Sequence, residues 1–113
     1  DRLRQLVLNL VEQGRRVVGY GASGRATMHL NLCGLGPEKI PYVVDASPER
    51  QGRVVPGTRN PIVAPEVFRA DAADVALLFA YNYKAEVAAA EKQFLERGGR
   101  FLLPLPEPVL EPA

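Results

Sequence analysis

The stretch that decides the fold is Arg15-Arg16-Val17-Val18-Gly19-Tyr20-Gly21-Ala22-Ser23-Gly24-Arg25. It opens on a short β-prone run, turns through glycines and passes into a segment, 26–32, that can return to helix. Gly19, Gly21 and Gly24 complete a G-x-G-x-x-G pattern, and Asp45 ends the next apolar run, Ile40-Pro41-Tyr42-Val43-Val44-Asp45, 21 residues past Gly24. Strand, loop, helix and strand in that order make a crossover unit with parallel strands. Its glycines allow a tight turn and close backbone approach. Free N–H groups at the helix start can hold a phosphate, and an acidic residue ending the second strand can accept from ribose hydroxyls. Arg25 adds a cation at the loop exit, where a helix start disfavours positive charge unless an anion is bound. A plainer reading stays open beside this one: the glycines pack helix against strand and Asp45 caps the turn that follows.

Upstream, Leu3, Leu6, Val7, Leu10 and Val11 have the spacing of a helix with one buried stripe, which occupies an opening segment, 1–14, stopped by Gly14. Downstream, Gly34 and Gly36-Pro37 break the second helix. Between 46 and 61 lie Pro48, Gly52, Pro56, Gly57 and Asn60, a turn-rich segment of the kind kept for packing or binding and a candidate specificity loop. Pro65 suits the first turn of a short helix reaching Ala70. Asp74-Val75-Ala76-Leu77-Leu78-Phe79-Ala80 is apolar on both faces, as a central parallel strand must be. Val87, Ala90, Phe94 and Leu95 form a helical stripe ended by Gly98-Gly99, and Arg100-Phe101-Leu102-Leu103-Pro104 is the last strand. The segment 104–113 carries four prolines and is expected to be extended, facing solvent or docked on a neighbouring domain. The whole reads as one α/β domain, 1–113: a Rossmann-like three-layer sandwich with a mainly parallel sheet of about four strands.

With 113 residues and 47% hydrophobic content the chain has enough apolar material for one core. Fourteen basic and thirteen acidic side chains give a net charge of +1, so no global field draws it to nucleic acid or an acidic membrane. Cys33 is the sole cysteine, which excludes an internal disulfide and a multi-cysteine zinc site and suits a reducing, cytoplasmic setting. No apolar run nears the roughly 18 to 20 residues that span a bilayer. Asp1-Arg2-Leu3-Arg4 lacks the apolar centre of a signal peptide. A chain that opens without Met directly into an amphipathic helix reads as a domain cut from a longer polypeptide.

Ligands on parallel sheets bind beyond the carboxyl ends of the strands, here the loops after Tyr20, Asp45 and Tyr81. The candidate binding residues are Gly19, Gly21, Ala22, Ser23, Gly24, Arg25, Asp45, Tyr81, Asn82 and Lys84. Asn82 and Lys84 suit contacts to sugar or phosphate, and a helix cap is the alternative for Asn82. Tyr81 and Tyr83 alternate, which sends one ring to stack on a base or sugar and the other into the core. Arg50 and Arg53 either meet a phosphate or remain solvated. His29 reads as a partly buried helix histidine with a backbone partner, without the neighbours of a metal site. Cys33 reads as a small buried residue at a helix end. No catalytic or metal-binding residue is assigned. About four strands are too few for a complete dinucleotide-binding domain, so a mononucleotide, a sugar diphosphate or half of a shared site fits better than NAD.

Val18-Gly19-Tyr20-Gly21-Ala22-Ser23-Gly24-Arg25, Leu32-Cys33-Gly34-Leu35-Gly36 and Ile40-Pro41-Tyr42-Val43-Val44-Asp45 together resemble the C-terminal domain of sugar C-methyltransferases. Ser47-Pro48, Gln51-Gly52-Arg53, Pro56-Gly57-Thr58, Pro61-Ile62, Tyr81-Asn82-Tyr83-Lys84, Gly98-Gly99 and Pro104-Leu105-Pro106-Glu107-Pro108 extend the likeness over nearly the whole chain. The family often has Lys at the place of Arg25 and Trp-Asn-Phe-Lys at the place of Tyr81-Asn82-Tyr83-Lys84. The resemblance implies a parent with a cysteine-rich zinc-binding domain, a middle domain for S-adenosylmethionine and this domain beside a nucleotide-sugar site. It implies methylation at carbon of a nucleotide-linked keto-deoxysugar, through proton abstraction next to the carbonyl. The acid and base are expected in the middle domain or at its junction with this one, so the fragment alone is expected not to be catalytic. The alternative is a free-standing nucleotide- or dinucleotide-binding module of the NAD or CoA type.

Overall fold

Every side chain of Val75–Leu78 (β4) is buried. Val75 and Leu77 join one apolar cluster while Ala76 and Leu78 join the other, as a period of two demands. A strand covered on both faces needs helices on both. The computed structural model, which describes residues 2–104 and 108–112, supplies them. On one face lie Arg2–Glu12 (α1), through Leu3, Val7 and Leu10, and Gly24–Cys33 (α2), through Ala26, Leu30 and Cys33. On the other, Pro65–Ala70 (α3) contributes Phe68, and Lys92–Glu96 (α5) contributes Phe94, which packs on Phe68 and Phe101. Lys84–Ala90 (α4) precedes α5 and buries no residue fully.

The sheet has six strands, two more than the sequence suggests. Val17–Tyr20 (β1) pairs in parallel with β4 and with Val43–Val44 (β2). Ile62–Val63 (β3) extends the sheet beyond β2, also in parallel. Arg100–Leu103 (β5) lies parallel to β4, and Val109–Glu111 (β6) closes that edge antiparallel to β5. The two additional strands are the shortest kind of signal: β3 has two residues, and β6 stands among prolines that its edge position tolerates. The segment 109–111 therefore pairs with the chain's own sheet, while 105–107 and 113 lie outside the described residues.

Carboxylates fasten the amino ends of the strands. Asp74 accepts the backbone N–H of Arg16 at 2.7 Å, and Asp71 accepts from the Arg16 guanidinium at 2.8 Å and the Tyr42 hydroxyl at 2.6 Å. A third carboxylate explains why the stripe from Val87 to Leu95 is two helices and not one. Glu91 leaves helical geometry (φ −111, ψ 40), and its side chain turns inward until only 2% is exposed. There it accepts from the Tyr20 hydroxyl at 2.6 Å and from Arg69 at 3.0 and 3.1 Å. Burial, then Glu91 itself, pushes the Tyr20 phenol well above its ordinary value, so it stays a donor.

Glu91→Ala removes the acceptor from both partners. Arg69 is 48% exposed and regains water, so the expected cost is about 2 kcal/mol, less than for a pair buried on both sides. A urea midpoint unchanged from the parent protein would contradict this.

Candidate functional site

Strand order β3-β2-β1-β4-β5-β6 runs outward one way from β1 and the other way from β4. The crevice beyond the carboxyl ends of these two strands is the topological switch point, where open α/β sheets bind ligands. It is walled by the glycine loop after β1 and by Phe79, Ala80 and Tyr81 after β4.

The three glycines serve different ends. A Cβ on Gly19 would come within 2.9 Å of Val43 Cγ2 and 3.0 Å of Phe79 Cε2, so the side chain is excluded by packing. Gly21 has φ +94, and a Cβ there would meet the Ala80 Cβ at 3.2 Å. Gly24 meets nothing within 4 Å and opens on free space at the start of α2.

Asp45 is buried and its carboxylate is fully engaged. It accepts the N–H of Ala22 at 2.9 Å, the N–H of Ser47 at 2.8 Å and the Arg50 guanidinium at 3.1 Å. Its own carbonyl receives the Gln51 amide at 2.9 Å. Asp45 thus ties the glycine loop to the turn beyond β2. The rest of that segment folds on itself, with a bridge between Val54 and Pro61 and buried Asn60 donating to the carbonyls of Leu35 and Ile40.

The open side of the rim is the first turn of α2. Ser23 occupies the N-cap position in extended geometry but does not cap, and its buried hydroxyl has no partner. Helix starts leave amide N–H groups unpaired, so this turn offers donors. Arg25 is exposed, has no carboxylate partner among the described residues, and holds its guanidinium 4.7 Å from the centroid of the Tyr81 ring across the crevice. Beneath it His29 is 8% exposed, its ring stacked on Phe79 at 6.1 Å. Its Nε2 has no partner, unlike the backbone-bonded histidine expected from sequence. Burial and then the charge of Arg25 hold its pKa below the ordinary value.

The other candidates are dispersed. Tyr81 is partly buried, Tyr83 is 60% exposed, and neither ring joins the core. Asn82 is exposed in the 3-10 turn Tyr81–Tyr83 and caps no helix. Lys84 pairs with Glu111 of β6, and Arg53 is exposed. Cys33 is buried, which raises its thiol pKa. Sequence reading missed Glu91, because a glutamate inside an apparent helical stripe looks like a solvated residue. The one hint was that Tyr20 needed a partner for its hydroxyl. A groove of about 570 Å³ lies on the α3 and α5 face, lined by Arg69, Glu91, Phe94 and Arg97, away from the switch point. Among the described residues no group of three His, Cys, Asp or Glu could hold a metal, and no helix is long and apolar enough to cross a membrane.

The glycines give a contrast within one motif. Gly19→Ala is expected to cost about 1 to 3 kcal/mol through overpacking. Gly24→Ala should be neutral or stabilise by up to about 1 kcal/mol. Chemical denaturation of the two variants checks both, and equal effects would contradict the packing account.

Comparison with known proteins gives the family. The family described as "C-methyltransferase C-terminal domain" matches residues 1–106. The chain is 43% identical over 107 residues to C-methyltransferase NovU of Streptomyces niveus, covering 95% of this chain and 26% of that relative. It therefore spans about a quarter of the length of that relative. The chain belongs to the C-methyltransferase C-terminal domain family.

Proposed function

We propose that this chain is the substrate-side domain of an S-adenosylmethionine-dependent C-methyltransferase acting in the cytoplasm on a nucleotide-linked keto-deoxysugar. In this reading it positions the substrate's diphosphate, while the methyl donor and the acid and base belong to other domains of the parent, one of them a zinc-binding domain. The observation that carries the reading is the switch-point rim. An uncapped helix start, an arginine without a carboxylate partner and an aromatic ring converge there on free space beside Gly24. Membership of a C-methyltransferase family supplies the reaction class.

A second reading, a free-standing dinucleotide module, draws support from the six-strand order, which follows the dinucleotide-binding sequence of strands, although β6 is antiparallel to β5 where a second βαβαβ half would end in a parallel strand. Against it stands Asp45. The carboxylate that would receive a ribose already holds Ala22, Ser47 and Arg50, and the Ala22 N–H is withdrawn from any pyrophosphate. A diphosphate seated at Gly24 and Arg25 needs neither group.

Calorimetric titration separates the two. UDP-glucose is expected to bind the chain more tightly than NAD or CoA, with Arg25→Ala weakening it about fivefold or more, as loss of an exposed charge-assisted bond implies. Tighter binding of NAD would favour the module. With S-adenosylmethionine and a nucleotide-linked keto-sugar the chain alone should give no methylated product, and turnover would overturn the division of labour.

A further inference from the structure

We propose that His29 is a positioning residue that couples anion binding at the first turn of α2 to the uptake of one proton. The inference rests on the seat just described and adds its regulation. Arg25 and His29 stand four residues apart on α2, and helical side chains lean toward the N-terminus, so the imidazole lies beneath the turn that carries Arg25. Its other neighbour is the Phe79 ring, 6.1 Å away and inclined by 20°. Phe79 also closes over Gly19, which places the histidine between helix and strand ends at the switch point.

Two polar atoms here lack partners. His29 Nε2 is buried in a side chain only 8% exposed, and Ser23 Oγ is buried at the N-cap. Buried polar atoms without partners are costly, and these two lie within the first two turns of α2, where an added anion would find a donor and a group it could help to protonate. Of the groups packed on the imidazole, Phe79, just past β4, is uncharged. Among the described residues Arg25, from α2 itself, is the charge that acts on it and disfavours its protonated form, after burial.

The same coupling must run in reverse. A diphosphate over Arg25 cancels the guanidinium's field and adds negative charge at a similar distance, so it favours imidazolium. Linkage then requires imidazolium to favour the diphosphate by the same factor. The sign follows: without ligand His29 is neutral near pH 7, with ligand its proton affinity rises, and affinity for the anion increases as pH falls. The proton comes from solvent.

His29 is the sole histidine, so its Cε1 proton is an unambiguous reporter. It is titrated by NMR across the neutral and mildly acidic range with and without saturating UDP-glucose, whose pyrophosphate diester does not titrate there. The midpoint should rise by about half a unit or more, and calorimetric affinity should be about twofold tighter at a pH about one unit below the ordinary imidazole value than one unit above it. His29→Gln should lose this pH dependence. An unmoved midpoint while UDP-glucose binds, or an unchanged pH profile in His29→Gln, overturns the coupling and leaves the seat standing. Absence of UDP-glucose binding at every pH overturns both.

Discussion

The arrangement of the rim depends on one carboxylate. Asp45 accepts from a glycine-loop amide, a turn amide and a guanidinium, and so joins the end of β1, the end of β2 and the segment beyond it. Charge-assisted bonds to backbone N–H groups are among the stronger ones available, and in a buried setting they are little screened. The consequence for binding is subtractive. The amide most suited to a pyrophosphate in a glycine-rich loop is occupied, and the donors that stay available belong to the first turn of α2. One interaction therefore gives the loop its shape and moves the open end of the crevice toward Arg25.

The sheet tolerates this because its strands are held at both ends. At the amino ends Asp71 and Asp74 gather Arg16 and Tyr42, at the carboxyl end of β2 Asp45 gathers the glycine loop and the following turn, and Glu91 joins Tyr20 of β1 to Arg69 of α3. Tyr20 belongs to the glycine motif, yet its hydroxyl reaches Glu91 at the break between α4 and α5, so the motif is tied to the opposite face of the sheet as well. Gly19 makes room for Phe79, and Phe79 in turn supports His29. A change in any of these side chains moves the floor of the crevice, because close-packed interiors transmit displacement.

Much of the fold was legible because its signals are local. The α1 stripe, the two-faced β4, the proline start of α3 and the glycine loop each announce themselves within a few residues, by period or by backbone constraint. What was illegible was decided by partners distant in sequence. Two-residue β3 has no period to read and becomes a strand only because β2 offers an edge. Val109–Glu111 looks like an extended proline-rich tail until β5 supplies the ladder and Lys84 supplies a cation for Glu111. Glu91 sits on an apparent helix face and is drawn inward by Arg69 and Tyr20, residues from two other elements. The same holds at the rim. Gly21, Ala22, Ser23, Gly24 and Arg25 are where the motif places them, whereas Lys84 is committed to β6 and Asp45 to the loop itself.

The open groups at the rim are therefore donors, the helix-start amides and the Arg25 guanidinium, with the His29 imidazole buried beneath them. The rim's acidic group is engaged and its thiol is buried. Proton abstraction beside a carbonyl needs a base within hydrogen-bond reach of the carbon acid. Donors of this kind instead hold an anion still, and holding the remote part of a substrate can contribute several kcal/mol to a reaction elsewhere, provided the grip is rigid. Rigidity is what the clasp of Asp45, the Gly19 contact and the Tyr20 to Glu91 bond provide. Under the proposed function such a domain would contribute by geometry, and its variants would then be judged by how far they displace a bound diphosphate from Arg25, since an anion held loosely at this rim would leave the reacting carbon out of register with a methyl donor bound elsewhere in the parent.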